Sequence, residues 1–376
     1  MVLSFGVEIE LLVCPRGTPK FEESLRRAGW DPRVESVGPR ERFFPPNNAT
    51  LKARAQNRYA VRYAIADALD AAGLPAAPEQ TADYLSWSIV DDESLSEIPR
   101  YWRVELVSRV LSTTTDWQNE LRAVFEVLHE ECKVRLTTGC SMHVHVSPYG
   151  GRYTAGQLQK ICKALCYFDN AITKVMPAER KDNPWATSNV AGRSPSVNEK
   201  LKRAYTLVPA QSWAYIFKLL DKTTPKHVHD MLSGGWRSRY CSWNFENVME
   251  ACGTIEFRRP PGADSPDRSI HWTAFTLGFV ARALATDWAP YASLKTVGSV
   301  ADLERFILGG ISTLGPTMNG ALRGRIVEDT SPPTVLTAEE LGAIERKKKN
   351  KDRVKSPFVE KFTPQHSNTW VRKIWQ

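Results

Sequence analysis

The chain has 376 residues, with 50 Lys or Arg against 42 Asp or Glu, a formal net charge of +8, and 42% hydrophobic and 24% charged residues. That composition is ordinary for a soluble globular protein, and the length allows one large domain or two smaller ones. No apolar stretch reaches the roughly 20 residues needed to span a bilayer, which argues against a membrane partner.

The first element is FGVEIELLV, residues 5–13, a strand by its apolar run. Side chains alternate across a strand, so Glu8 and Glu10 share one face, while Phe5, Val7, Ile9 and Leu11 share the other. An unpaired buried carboxylate is costly, so each acid needs a cation, a proton or water beside it. A solvated strand face and a pair of metal ligands both answer that need at this stage. The N-terminus lacks a basic region ahead of its apolar run, which argues against a signal peptide. Seven cysteines without a C-x-x-C pair point to a reduced, cytoplasmic protein.

Residues 15–50, rich in Pro, Arg and Asn, predict an irregular excursion. A helix is expected over 49–72, stopped by Gly73 and Pro75. Trp87–Val90 reads as a short strand, followed by the turn-like Asp91-Asp92-Glu93-Ser94. Arg103–Leu111 reads as another strand, with Glu105 on the face away from Val104 and Leu106. Thr114 or Thr115 is expected to cap a helix to about Cys132. Next, GCSMHVHVS, residues 139–147, alternates as a strand that sends Met142, Val144 and Val146 one way and His143 and His145 the other. Thr154 and Gln157 form a capping-box pattern for a helix that stops before Pro177. A polar connection follows to about residue 200, then helices over 211–221 and 268–287. Between these, Trp243-Asn-Phe245 and Thr254–Arg258 read as a strand pair, with Glu256 and Arg258 on the face away from Ile255 and Phe257. Strands and helices without a strict βαβ rhythm predict an α+β fold with a largely antiparallel sheet.

The charge excess is concentrated at the chain end. Residues 341–376 hold ten Lys or Arg and three Asp or Glu, which is +7, leaving +1 for the first 340. Such a tail reads as a solvated segment that the chemistry does not need. No basic face interleaved with aromatics emerges in the body, which argues against a nucleic-acid partner.

Four strands thus offer carboxylates, imidazoles or an arginine on the face opposite their apolar residues. Each motif alone has a plain structural reading: exposed histidines for H-x-H, a cross-strand ion pair for Glu256 and Arg258. If the faces converge, they enclose an acidic trough capped by a guanidinium. Several carboxylates with an imidazole suit Mg²⁺ or Mn²⁺ better than the thiolate-rich set of structural zinc. An arginine beside divalent cations suits stabilisation of a transferring phosphoryl group. Neither a P-loop nor a G-x-G-x-x-G pattern follows any strand.

Taken in order, E-x-E at 8–10, WSIVDDESL at 87–95, VELVS at 104–108, GCSMHVHV at 139–146, WNF at 243–245 and TIEFR at 254–258 resemble the amidoligase family, carboxylate–amine ligases related to glutamine synthetase and γ-glutamylcysteine ligase. The resemblance runs from about residue 4 to 290. It implies a glutamine-synthetase-like curved sheet with helices on its outer face, and ATP with Mg²⁺ or Mn²⁺ as cofactors. It further implies an amide bond formed through an acyl phosphate between carboxylate and amine substrates, small molecules or peptides. By the same implication, Glu8, His143 and Glu256 hold the metal that bridges the ATP phosphates. Glu10 and Glu105, with Asp92, hold the metal nearer the substrate carboxylate. His145 lies near the nucleotide, Arg258 contacts the γ-phosphate, and Asn244 and Arg180 are further nucleotide or substrate candidates. The chain departs from the pattern at Arg109, where proline is expected after Ser108. A catalytic domain over residues 1–325 with a basic extension over 326–376, partly disordered or packing on the domain, is the expected organisation. A metal-dependent hydrolase, a non-catalytic binding module on the same scaffold, and covalent catalysis by Cys140 are the rival readings.

Overall fold

The computed structural model describes residues 1–38, 46–191, 198–208, 210–233 and 239–361, with 353–361 by backbone alone. Parts of the expected excursion (39–45) and of the polar connection (192–197), together with the chain end from 362, lie outside the described residues.

In chain order the elements are β1 (Leu3–Pro15), α1 (Pro19–Arg27), α2 (Asn48–Ala71), β2 (Ala76–Ala77), β3 (Trp87–Val90), β4 (Trp102–Val107) and β5 (Leu111–Ser112). There follow α3 (Trp117–Glu131), β6 (Cys132–Arg135), β7 (Met142–Pro148), α4 (Ala155–Val175), α5 (Ala178–Lys181), α6 (Glu199–Thr206), α7 (Ala214–Leu220) and α8 (Val228–Ser233). The last are β8 (Trp243–Asn244), β9 (Ile255–Phe257), α9 (Pro266–Ala285), α10 (Val300–Leu314) and α11 (Ala338–Lys361). No helix among the described residues is long and apolar enough to cross a membrane.

Among the described residues the strands join one sheet in the order β2-β3-β4-β1-β7-β9-β8, with β5 and β6 also paired to β1. Every pairing is antiparallel except β2 with β3. The mixed, largely antiparallel sheet expected from the strand rhythm is therefore present. β1 is long enough to pair β5 and β4 along one edge and β7 and β6 along the other. Neither edge of this strand is left open.

The apolar face of the sheet is the core face. Phe5, Val7, Ile9 and Leu11 are buried there with Val144, Val146, Ile255 and Phe257. Helices α2, α3, α4 and α9 cover it. Trp243 stacks on Phe257 at 4.5 Å and Phe257 on Phe275 at 5.9 Å, which ties the β8–β9 edge to α9. α10 lies against α9 at a very close crossing. A Cβ on Gly310 would sit 1.8 Å from the Gly278 carbonyl oxygen, so only glycine permits this approach.

Several local signals hold and several do not. Thr154 and Gln157 exchange the two bonds of a capping box at the start of α4. Asn47, just before α2, accepts from the Thr50 N–H at 2.9 Å. The excursion over 15–50 is not wholly irregular: α1 forms within it, with Pro19 at its first turn and Phe21 and Leu25 buried. The strand expected over 103–111 breaks after Val107. There Ser108 Oγ accepts from the Val7 N–H at 2.9 Å and donates to the Arg109 carbonyl at 2.8 Å. The cap of α3 is Asp116 rather than Thr114 or Thr115.

Over its described residues the basic extension touches the body at several points. Lys181 on α5 is buried and donates to the carbonyls of Asp329 at 2.6 Å and Ser331 at 2.5 Å, which pins the chain leading to α11. Within α11, Lys347 donates to the Ser94 carbonyl at 2.8 Å, and Lys351 reaches Asp92.

Candidate active site

Residues directly opposite in an antiparallel pair share a face. Glu8 stands opposite His143, Glu10 opposite Glu105, His145 opposite Glu256, and Asn244 opposite Glu256. The register therefore gathers these side chains on the face away from the helices. They line a cavity of about 840 Å³ together with Asp92, Arg180 and Arg258, so all ten residues expected at the site meet in one trough.

Two donor groups lie within it. One ligand atom from each of Glu8, His143 and Glu256 falls within 4.8 Å of the others, and the same holds for Glu10, Glu105 and His143. His143 belongs to both. Its Nδ1 faces Glu8 at 2.8 Å and Glu256 at 3.5 Å, and its Nε2 faces Ser141 Oγ at 3.0 Å and Glu10 at 3.7 Å. His145 Nε2 lies 3.1 Å from the other oxygen of Glu8, and its Nδ1 lies 3.2 Å from Thr254 Oγ1. Asn244 donates to Glu256 at 2.8 Å, and the Arg258 guanidinium bonds the other oxygen of Glu256.

The two groups differ in charge balance. Burial works to raise the Glu8 carboxyl, but the His145 charge and the bonds from both histidines outweigh it and hold the group well below the usual range. Burial likewise opposes ionisation of Glu256, and Arg258 with the two histidines brings it below its ordinary value. Glu10 and Glu105 have no such cover. Burial and then the Asp92 charge push Glu10 up to about 8, against the pull of two Ser141 donations at 2.8 and 2.7 Å. Burial followed by the charges of Glu8, Asp92 and Glu10 pushes Glu105 well above the carboxylate range. No hydrogen-bond or ion-pair partner meets the Glu105 carboxylate among the described residues. Crowded, buried carboxylates with too little countercharge to keep them ionised are the setting in which a bound divalent cation restores ionisation. The donor set, oxygen-rich with one imidazole, fits Mg²⁺ or Mn²⁺.

Asp92 sits beside this group with its carboxylate already oriented. The Ser94 N–H donates to one oxygen at 2.7 Å and the Ser94 hydroxyl to the other at 2.8 Å. Burial opposes its ionisation, but Lys351 and the Ser94 donations hold it below its usual value.

Arg180 lines the trough, yet its guanidinium faces main chain. Its Nε donates to the Arg259 carbonyl at 3.1 Å and its Nη2 to the Arg258 carbonyl at 2.6 Å. Arg259 Nε returns a bond to the Arg180 carbonyl at 3.3 Å, so the two arginines clamp α5 to the end of β9. Arg109, at the departure from the family pattern, also lines the cavity, and a fork of 2.8 and 2.5 Å bonds ties it to Glu120 on α3. Cys140 is buried with Leu12 and Leu95, and burial pushes its thiol up, which opposes a thiolate nucleophile.

Sequence reasoning missed Ser141, which holds Glu10, and the cavity-lining Trp185, Tyr240 and Lys351. Ser141 was within reach, since it sits two residues before His143 on the same alternation. Lys351 carried no signal beyond membership of a basic run.

A family model described as "Putative amidoligase enzyme" matches residues 2–280. Every site residue from Glu8 to Arg258 falls inside that span, whereas α10 and α11 fall outside it. No curated protein matches the chain.

Proposed function

The chain belongs to the amidoligase family, whose activity is amide-bond formation, and we propose that it is an ATP-dependent carboxylate–amine ligase working through an acyl phosphate. The observation that carries this reading is the pair of donor groups sharing His143 beside the Arg258 guanidinium, which suits a polyphosphate and divalent cations better than water activation at a single metal. Mg²⁺ or Mn²⁺ bound by Glu8, His143 and Glu256, and by Glu10 and Glu105, would neutralise phosphate charge and restore the ionised state of the second group.

The chain's own residues do the rest. Arg258 offers a planar, permanently charged fork toward the trough, anchored by Glu256, and stabilises charge on the phosphoryl group in flight. The Arg180–Arg259 clamp fixes the backbone from which Arg258 projects. Asn244 and His145 orient Glu256 and Glu8 from the nucleotide side. In the first step a substrate carboxylate oxygen bonds the γ-phosphorus, the bond to the β–γ bridging oxygen breaks, and ADP leaves. In the second, an amine that has first given its ammonium proton to a trough carboxylate bonds the acyl carbon through its nitrogen, the carbon–oxygen bond to phosphate breaks, and the nitrogen passes its next proton to the released phosphate. The body over 1–325 is the catalytic unit in this proposal, with carboxylate and amine substrates that are small molecules or peptides. The test is a screen of carboxylate and amine pairs for phosphate release. The ligase reading requires ATP, both substrates and one ADP per amide. Turnover without nucleotide would replace it with hydrolysis.

A further inference from the structure

The Asp92 end of the trough already holds an amine. Lys351, on α11, places its Nζ 2.6 Å from Asp92 Oδ1 and lies 5.9 Å from the centre of the Trp185 ring. Asp92 is 4% exposed and is held from both oxygens by Ser94 without help from Lys351. A buried, preset carboxylate with an indole face alongside is what recognition of an alkylammonium requires: a charged acceptor for the head and a π surface for the cation and its stem.

The helix that delivers this lysine is held loosely. No residue of α11 from Ala338 to Asp352 is buried. Its contacts with the body are polar: Lys347 to the Ser94 carbonyl, Lys348 over the Tyr240 ring at 5.0 Å, and Asp352 to the Tyr240 hydroxyl at 3.0 Å. Without a buried residue over this stretch the helix is not locked into the core, so the lysine can leave and the subsite can be refilled.

We propose that this end of the trough is the amine subsite, that it takes a primary alkylammonium of the lysine side-chain type, and that Lys351 occupies it as a tethered competitor. The assignment rests on the ligase reading and narrows it: the amine substrate is an alkylamine rather than ammonia. The same chemistry could come from a free small amine or from a lysine in a peptide, and two probes separate these sources.

The experiment is calorimetric titration of n-butylamine, and separately of a blocked Gly-Lys-Gly peptide, into the full-length chain at saturating Mg²⁺. Lys351→Ala should bind at least one probe on the order of tenfold tighter than wild type, because the tether acts as a competitor at high local concentration. Adding Asp92→Asn should remove the gain. A preference for butylamine identifies a small amine, and a preference for the peptide identifies a peptide lysine. Lys351→Met, which keeps the stem over Trp185 and removes the charge, serves the same purpose if alanine unseats the helix. No gain for either probe in either variant, or a gain that survives Asp92→Asn, overturns the subsite. Mg²⁺-dependent ATP binding is measured on the same samples. Retained nucleotide binding without an amine gain sinks the subsite alone, whereas absent nucleotide binding in wild type sinks the ligase reading.

Discussion

Gly310→Ala adds one methyl group where α10 crosses α9. The new Cβ would lie 1.8 Å from the Gly278 carbonyl oxygen and 2.7 Å from its carbonyl carbon, where real Cβ atoms essentially never come within 3.0 Å. The helices must therefore separate by about 1.2 Å, the shortfall in that contact, and no rotamer change can relieve it because the obstacle is main chain. α9 also packs on β1, β7, α3 and α4, so the shift would spread into the sheet that carries the site. Overpacking costs about 1–3 kcal/mol, and a backbone collision belongs at the upper end. The better helix propensity of alanine returns at most about 1 kcal/mol. A net loss of about 2–3 kcal/mol corresponds to a fall in Tm of roughly 3–4 °C for a chain of this size, at about 2.1 cal/mol/K of unfolding entropy per residue. Gly309→Ala is the internal control, since its Cβ would meet only the Arg282 side chain at an ordinary 3.5 Å. That variant should melt at or slightly above wild type. Differential scanning calorimetry of the three proteins decides it. If Gly310→Ala and Gly309→Ala melt within about a degree of each other, the helix crossing does not have the closeness argued here.

Three further predictions concern the trough. Arg258→Lys keeps the charge but loses the planar fork, so kcat should fall on the order of a hundredfold with little change in ATP affinity. A folded variant with full single-turnover rate removes Arg258 from the chemistry. ATP should bind tightly only with Mg²⁺ or Mn²⁺ present, and equally tight calorimetric binding in excess chelator would refute the paired donor groups. Arg180→Met strands two main-chain carbonyls, each worth about 1–3 kcal/mol when left unpaired. Tm should drop by roughly 3–8 °C, and an unchanged melting curve would show that the clamp carries no stability.

Much of the trough was legible because its logic is local. Period-two alternation in β1, β7 and β9 assigns Glu8, Glu10, His143, His145 and Glu256 to one face without any knowledge of partners. The pairing of Glu10 with Glu105 and of His145 with Glu256 depends on register between distant segments, which no single strand contains. α1 was hidden because Pro and Arg dominate its surroundings, while Phe21 and Leu25 carry the apolar spacing. α10 was missed although Ser299 and Asp302 form a capping box at its start. Lys351 could not be seen at all. Its partner is 259 residues away, and a basic run facing water looks the same in sequence as one facing a carboxylate. The described part of the extension is a helix that meets the trough at Asp92 through Lys351.

His143 belongs to both donor groups, and a neutral imidazole has only one free lone pair. An ion that takes Nδ1, on the Glu8 and Glu256 side, obliges the ring hydrogen to sit on Nε2, where it points at Ser141 and Glu10. The ring then acts as a donor toward the second group, whose ligands are reduced to Glu10 and Glu105. An ion arriving first on the Nε2 side leaves the opposite tautomer and strips the first group to its carboxylates. The two positions are thus unequal by exclusion. Whichever filled first would keep the imidazole, and the other would hold its ion with one protein ligand fewer.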